Sequence, residues 1–195
     1  SVAFVSTRGD GSTDIYILDL RTRTTRNLTS SPGGDFRPAW SPDGRMIAFS
    51  SDRGTRLQMS KGRWEHLHAR SIYVVGADGQ GLRKVTTDGQ SATGSPKWSA
   101  DGRHVVFYEL PVANTFDVRQ LQDQPTVDSR IVSVEIGTGV RREHATGRGL
   151  KVSPQMLGVD RVGYLLKAGP TATIAFSSGE NGRAGDIGGP AWTRD

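Results

Sequence analysis

Pro38-Ala39-Trp40-Ser41-Pro42-Asp43-Gly44-Arg45-Met46-Ile47-Ala48-Phe49 is the stretch whose reading decides the fold, because it recurs. Starting 58 residues further on, the chain reads Pro96-Lys97-Trp98-Ser99-Ala100-Asp101-Gly102-Arg103-His104-Val105-Val106-Phe107. A worn copy begins at Pro154, another 58 residues on, and a fourth, Pro190-Ala191-Trp192-Thr193-Arg194-Asp195, begins 36 residues after that. Each copy has the physics of a hairpin. A short apolar run ending in Trp meets Asp-Gly, whose glycine accepts the positive φ of a tight turn, and a second apolar run follows. One hairpin cannot bury both of its faces, so several at near-regular spacing imply small sheets stacked on one another.

The units between the copies read as four-stranded sheets. Ser1 to Arg8 matches Met46 to Arg53, so the chain is expected to start on the second strand of a unit, with Asp14–Leu20 as its third strand and Thr25–Thr29 as its fourth. The second unit is expected at Pro38–Ser41, Met46–Ser51, Ser71–Val75 and Leu82–Thr86. The third is expected at Pro96–Ser99, His104–Tyr108, Arg130–Ile136 and Val140–Thr146, and the fourth at Val152–Gly158, Arg161–Lys167, Thr171–Ser177 and near Gly185–Ile187. Trp192 aligns with Trp40 and Ser1 with Met46, so the tail is expected to supply the missing first strand of the first unit. The fold class is therefore all-β, a β-propeller of four-stranded antiparallel blades with four repeat units, in one domain over 1–195. The units are about 1–35 plus 190–195, 36–93, 94–151 and 152–189. Three arrangements are open: a closed four-blade ring, part of a larger ring, or a propeller shared by a homo-dimer.

Composition agrees. In 195 residues, 25 glycines and nine prolines without a collagen-like period fit many short strands and turns. No window of 18 apolar residues occurs, so no membrane-spanning helix is expected. There is no cysteine, which excludes disulfides and cysteine-ligated metal. The net charge of +5 is spread through turns and outer strands rather than gathered in a stripe, which argues against a nucleic-acid partner.

Pro38 to Gly54, followed by Ser71-Ile72-Tyr73-Val74-Val75-Gly76-Ala77-Asp78-Gly79 and Leu82-Arg83-Lys84-Val85-Thr86, resembles the WD-like repeat of the bacterial TolB β-propeller family. The resemblance is strong over about residues 1–110. Beyond that the chain departs from it, with Met156 in place of Trp and Gly158-Val159-Asp160 in place of Pro-Asp-Gly. It implies a periplasmic or secreted protein that binds protein partners, as TolB binds lipoproteins and colicins. Similar repeats also form the non-catalytic domains of tricorn-like and prolyl-oligopeptidase-like proteases. The repeat residues are scaffold and carry no chemistry.

Two long insertions, Gly54–Arg70 and Glu109–Ser129, join second to third strands of adjacent units and so belong on one face. The residues entering the first strands, Arg37, Ser95, Lys151 and Ser153, are expected to ring the mouth of the channel on that face, where cations among small polar groups suit an anionic ligand or a partner peptide's carboxylate. The first insertion holds Glu65, His66 and His68. The two imidazoles project to one side of an extended segment, as the ligands of a divalent metal such as zinc do, and calcium is the other candidate. The enzymatic reading is a metal-dependent hydrolase with a third ligand from Asp117, Asp123 or Asp128 of the neighbouring insertion, or from a residue at the channel mouth. The plain alternative is polar loop residues pinned by Trp64. No Gly-x-Ser-x-Gly elbow and no phosphate loop occurs, and Arg8-Gly9-Asp10 reads as a turn rather than an adhesion motif. Three functions follow as expectations: a protein- or peptide-binding scaffold, a metal-dependent hydrolase, and the non-catalytic propeller part of a larger hydrolase.

Overall fold

The computed structural model describes residues 1–55, 70–87, 91–112, 127–158, 160–168 and 171–185. Among them every regular element is a strand. The first sheet holds β1 (Val2–Ser6), β2 (Asp14–Leu18) and β3 (Thr25–Asn27). The second holds β4 (Asp35–Trp40), β5 (Met46–Ser51), β6 (Ser71–Gly76) and β7 (Arg83–Lys84). The third holds β8 (Ser91–Trp98), β9 (His104–Pro111), β10 (Arg130–Glu135) and β11 (Arg141–Ala145), and the fourth β12 (Leu150–Met156), β13 (Val162–Lys167), β14 (Ala172–Phe176) and β15 (Asn181–Gly185). Each sheet is an antiparallel meander in chain order, as the repeat predicts for propeller blades.

Alternation within each second strand explains why these strands are apolar on both sides. In β5, Ile47 and Phe49 pack with Ile15, Ile17 and Leu28 of the first sheet, while Ala48 between them packs with Trp98, Val105 and Phe107 of the third. In β9, Val105 and Phe107 turn back to the second sheet, while Val106, Tyr108 and Leu110 meet Met156, Val162 and Tyr164 of the fourth. A period of two thus feeds two interfaces from one strand, which a blade needs and a one-sided sheet does not. Innermost strands sit side by side, β4 against β8 and β8 against β12, which orders the sheets around a common axis.

Outer strands lock neighbouring blades together. The Arg26 guanidinium on β3 donates to the Ala77 carbonyl of the second sheet, and Arg83 on β7 repeats this toward the Ile136 carbonyl of the third at 2.5 Å. Arg142 on β11 instead pairs with Asp160 at the start of the fourth sheet. The Asp-Gly turns are built as expected. Gly44 and Gly102 have φ of 71° and 70°, and Ser41 and Ser99 hydroxyls donate to Asp43 and Asp101 at 2.6 and 2.5 Å. Those bonds hold both carboxyls below the usual aspartate range.

Strand ends depart from the sequence reading in one systematic way. The inner strands begin at Asp35, Ser91 and Leu150, ahead of the expected Pro38, Pro96 and Val152. Each contains a bulge that carries it past its proline. β4 pairs Asp35 with Ser51 and Phe36 with Ser50, skips Arg37 and Pro38, and resumes at Ala39 with Ala48. Because the proline falls in the skipped part, its missing N–H interrupts no ladder bond. The last strand of the fourth sheet lies at Asn181–Gly185 rather than near Gly185–Ile187, since the turn closes early on Gly179 with φ 88°. The segment expected to complete the first sheet, 190–195, lies outside the described residues.

Candidate functional site

The three bulges repeat one conformation at one place in the repeat. Arg37, Ser95 and Ser153 are skipped in the ladders and have φ of 52°, 52° and 51°. This left-handed region costs a residue with a Cβ of order 1 kcal/mol or more, and each residue also precedes a proline, which narrows its choices further. Three of the four residues expected at the channel mouth are thus strained alike. They lie on the adjacent inner strands β4, β8 and β12, with Arg37 exposed and the two serines half-buried.

The fourth, Lys151, is placed differently. It is 2% exposed, and its ammonium donates to the carbonyls of Ser129, Gly147, Arg148 and Gly149 at 3.0, 2.6, 3.3 and 3.1 Å. Burial lowers its pKa, while nearby Asp128 acts in the opposite direction. Lys151 therefore ties the turn before β12 to the strand entry at Ser129, and its charge is turned inward. Nothing in the sequence distinguishes such a lysine from an exposed one.

A floor of buried polar groups lies at the strand ends where the insertions leave. Asp35 is fully buried and accepts from Arg53 Nη2 at 2.6 Å. Burial raises the Asp35 pKa against the opposing pull of Arg53. The Arg53 guanidinium carbon lies 5.3 Å from the Phe49 ring and 5.2 Å from that of Tyr73, so its charge is held by rings and carboxylate together. The first sheet repeats the sandwich, with Arg8 5.2 Å from both Phe4 and Tyr16. Just before β6 of the second sheet Arg70, 1% exposed, donates to the Tyr108 hydroxyl of the third sheet at 2.8 Å, and within the third sheet Glu109 accepts from Arg130 at 3.0 Å. Neither buried Arg70 nor the Asp35–Arg53 pair stands out in the sequence, although the Arg-Gly repeated after the second strands of the first two sheets, Arg8-Gly9 and Arg53-Gly54, signals a common device.

Glu65, His66, His68, Asp117 and Asp123 lie outside the described residues, as does Trp64. Asp128, the remaining candidate ligand, accepts from the Gly149 backbone at 2.7 Å. Among the described residues no three histidine or acidic side chains gather as a metal site. His104 is half-buried beside Asp101, on the Asp-Gly face away from the insertions. His144 Nε2 lies 2.8 Å from the Ser133 hydroxyl, but Ser133 is 1% exposed inside its sheet, so no substrate reaches it as a nucleophile. Arg8-Gly9-Asp10 is a turn, with Arg8 on the aromatic rings and Asp10 accepting from the Ser12 backbone.

The family model of the TolB β-propeller domain matches residues 1–131, two thirds of the chain. The chain belongs to the TolB β-propeller family. It is 36% identical over 69 residues to the Tol-Pal system protein TolB of Nitratidesulfovibrio vulgaris, covering 34% of this chain and 15% of that protein. Over 118 residues it is 29% identical to the uncharacterized peptidase YuxL of Bacillus subtilis, covering 60% of this chain and 16% of that one. Among solved structures, TolB of Acinetobacter baumannii superposes with a TM-score of 0.64 at 20% identity, over 94% of this chain and 42% of that one. An oligogalacturonate lyase in complex with manganese superposes with a TM-score of 0.65 at 17% identity, over 92% of this chain and 47% of its own. The last two likenesses concern the fold, and they extend it past residue 131 to the fourth sheet. The chain spans about a sixth of the length of these two curated relatives.

Proposed function

We propose that this TolB-like propeller unit is an exported, periplasmic or secreted scaffold that holds a protein or peptide partner on its insertion-bearing face. The observation that carries the reading is the repeated left-handed bulge at Arg37, Ser95 and Ser153. The same strain is kept on three adjacent inner strands, and such strain gathers where a ligand is held. The exposed Arg37 guanidinium supplies a fork for a carboxylate, and Ser95 and Ser153 supply hydroxyls that serve either as donors or as acceptors. The buried floor below them keeps the mouth rigid, so ordering costs on binding fall mainly on the partner. The likeness to TolB of the Tol-Pal system supports a protein partner in the cell envelope.

Capture from an envelope extract, compared among wild type, Arg37→Glu and Arg103→Glu, tests this. Arg103 sits on the Asp-Gly face and serves as control. The reading requires the Arg37 variant to lose a captured protein that the Arg103 variant keeps; equal capture by all three removes it.

A second reading is a metal-dependent hydrolase using Glu65, His66 and His68; a solved structure of the same fold, a lyase, holds manganese, so a propeller of this kind can carry a metal. Metal analysis of the purified protein, before and after the double change His66→Ala and His68→Ala, decides it. A stoichiometric metal lost in the double variant supports this reading, and no metal in the wild type ends it. The peptidase relative supports a third reading, the propeller part of a longer hydrolase.

A further inference from the structure

The joint between the second and third sheets and the joint between the third and fourth are built differently at the end that carries the Asp-Gly turns. In the first of them Trp98 donates its indole N–H to the Ala39 carbonyl at 3.0 Å, and Arg83 donates to the Ile136 carbonyl at 2.5 Å. Both acceptors are neutral backbone groups, so neither bond answers to pH. In the second, Met156 takes the place of Trp and brings no donor, and Gln155 Nε2 reaches the Trp98 carbonyl only at 3.4 Å. What crosses the joint beside them is the ion pair of Arg142 with Asp160, whose side chains are 58% and 65% exposed. An exposed pair of this kind holds little.

At its other end the same joint is tied firmly. Lys151 Nζ donates to the Ser129 carbonyl at 3.0 Å, the Lys151 backbone N–H to the Ser129 hydroxyl at 2.6 Å, and that hydroxyl to the Lys151 carbonyl at 2.8 Å. These bonds join the entry of β10 to the start of β12. Between the two ends the contact is apolar, Val106, Tyr108 and Leu110 against Met156, Val162 and Tyr164. A joint fixed at one end and held at the other by an exposed ion pair has the build of a hinge.

The loosely held side carries a titratable ring. The β10–β11 register runs Ile131 with Ala145 and then Val132 with Glu143, so His144 is the bulged residue, and its Nε2 lies 2.8 Å from the Ser133 hydroxyl. The charges that act on it are Arg142 on its own strand, Asp160 across the joint and His104 at the start of β9, itself beside Asp101. Glu143, next to it in sequence, pairs with Arg130 instead. Protonating His144 puts a second cation on the strand that presents Arg142, with Asp160 across the joint to answer both. Burial and Arg142 disfavour that charge in the closed joint, and loosening the joint into water relieves both.

We infer that the joint between the third and fourth sheets is a pH-gated hinge in the propeller wall. It stays shut while His144 is neutral, and acid opens it at the Asp-Gly end while Lys151 and Ser129 hold the insertion end. The closed form has its full stability above the unfolded histidine value of about 6.5 and loses it as pH falls through the lower folded value.

Two neighbours on β9 report the two joints separately. Val105 and Val106 are both 0% exposed, the first packed toward the second sheet and the second toward the fourth. The chain has no cysteine, so Val105→Cys and Val106→Cys each install a single thiol, whose labelling by dithiodipyridine is timed at about pH 7.5 and about pH 5.5. Each rate is divided by that of the same variant in denaturant at the same pH, which removes the thiol's own titration. The expected result is labelling at 106 many-fold faster than at 105 at the lower pH and a ratio near one at the higher, with the ratio near one at both in a His144→Gln background. Equal rates at both pH values mean that global unfolding alone exposes the two thiols, and they overturn the proposal. A ratio that pH does not change, or that stays pH-dependent without His144, overturns it too. On β10, Ile131→Cys toward the fourth sheet and Val132→Cys toward the second supply the same comparison should a valine variant fail to fold.

Discussion

The indole nitrogen of Trp98 donates to the carbonyl of Ala39 across the boundary between the second and third sheets, 3.0 Å apart. The repeated tryptophan therefore does two jobs: it fills the apolar interface with Ala48, Val105 and Phe107, and it hydrogen-bonds to the preceding blade. Trp98→Phe keeps the packing and leaves the Ala39 carbonyl without its donor, at a cost of about 1–3 kcal/mol. Urea unfolding measures that cost, and a neutral or stabilising Trp98→Phe would mean that the bond contributes nothing.

Gly94 on β8 admits nothing larger. A Cβ there would sit 2.6 Å from the Tyr108 hydroxyl and 2.8 Å from its ring carbon, and Arg70 holds that hydroxyl in place. Gly94→Ala should destabilise by about 1–3 kcal/mol through overpacking. Gly137→Ala, where an added Cβ meets nothing within 4 Å, should change stability by less than about 0.5 kcal/mol in the same thermal melts.

Asp35 and Arg53 form a buried pair whose two members respond differently to removal. Asp35→Ala strands the Arg53 charge between its rings and should cost about 3 kcal/mol or more. Burial already raises the Asp35 pKa, so the fold opposes its ionisation, and its contribution weakens as pH rises through the folded value. Asp35→Asn, neutral and of the same shape, should therefore cost less than Asp35→Ala in denaturant titrations at neutral pH.

His144 gives the fold a pH dependence of known sign. Burial, helped by Arg142, lowers its pKa, so the neutral ring is the folded form. A depressed folded pKa means its stabilisation is fully present above the unfolded value of about 6.5 and is lost as pH falls through the folded value. His144→Gln should flatten the stability profile below about pH 6.5 relative to wild type. An unchanged profile would place the acid sensitivity elsewhere.

The blades are legible in the sequence because the Trp-to-Asp-Gly hairpin states both the turn and the apolar strands that flank it, as Gly44 and Gly102 show by their conformation. Met156 stands in for Trp and packs with Tyr108 all the same, since the interface asks for volume more than for an indole. The bulges are hidden. A proline normally ends a strand's reading, and only the paired register shows Phe36 and Ala39 on either side of a skipped Arg37. At the site, the shared repeat position of Arg37, Ser95 and Ser153 is legible, while the inward turn of Lys151 is not. Three of its four carbonyl partners come from the turn before β12 and the fourth from the strand entry at Ser129, neither of which composition can position.

The most direct test of the binding account is hydrogen–deuterium exchange of this chain with and without the envelope protein it captures. Slowed exchange at 35–37, 93–95 and 151–153, with 43–45 and 101–103 unchanged, is the footprint predicted for the insertion-bearing face. Protection confined to the Asp43-Gly44 and Asp101-Gly102 turns would put the partner on the opposite face and contradict the account.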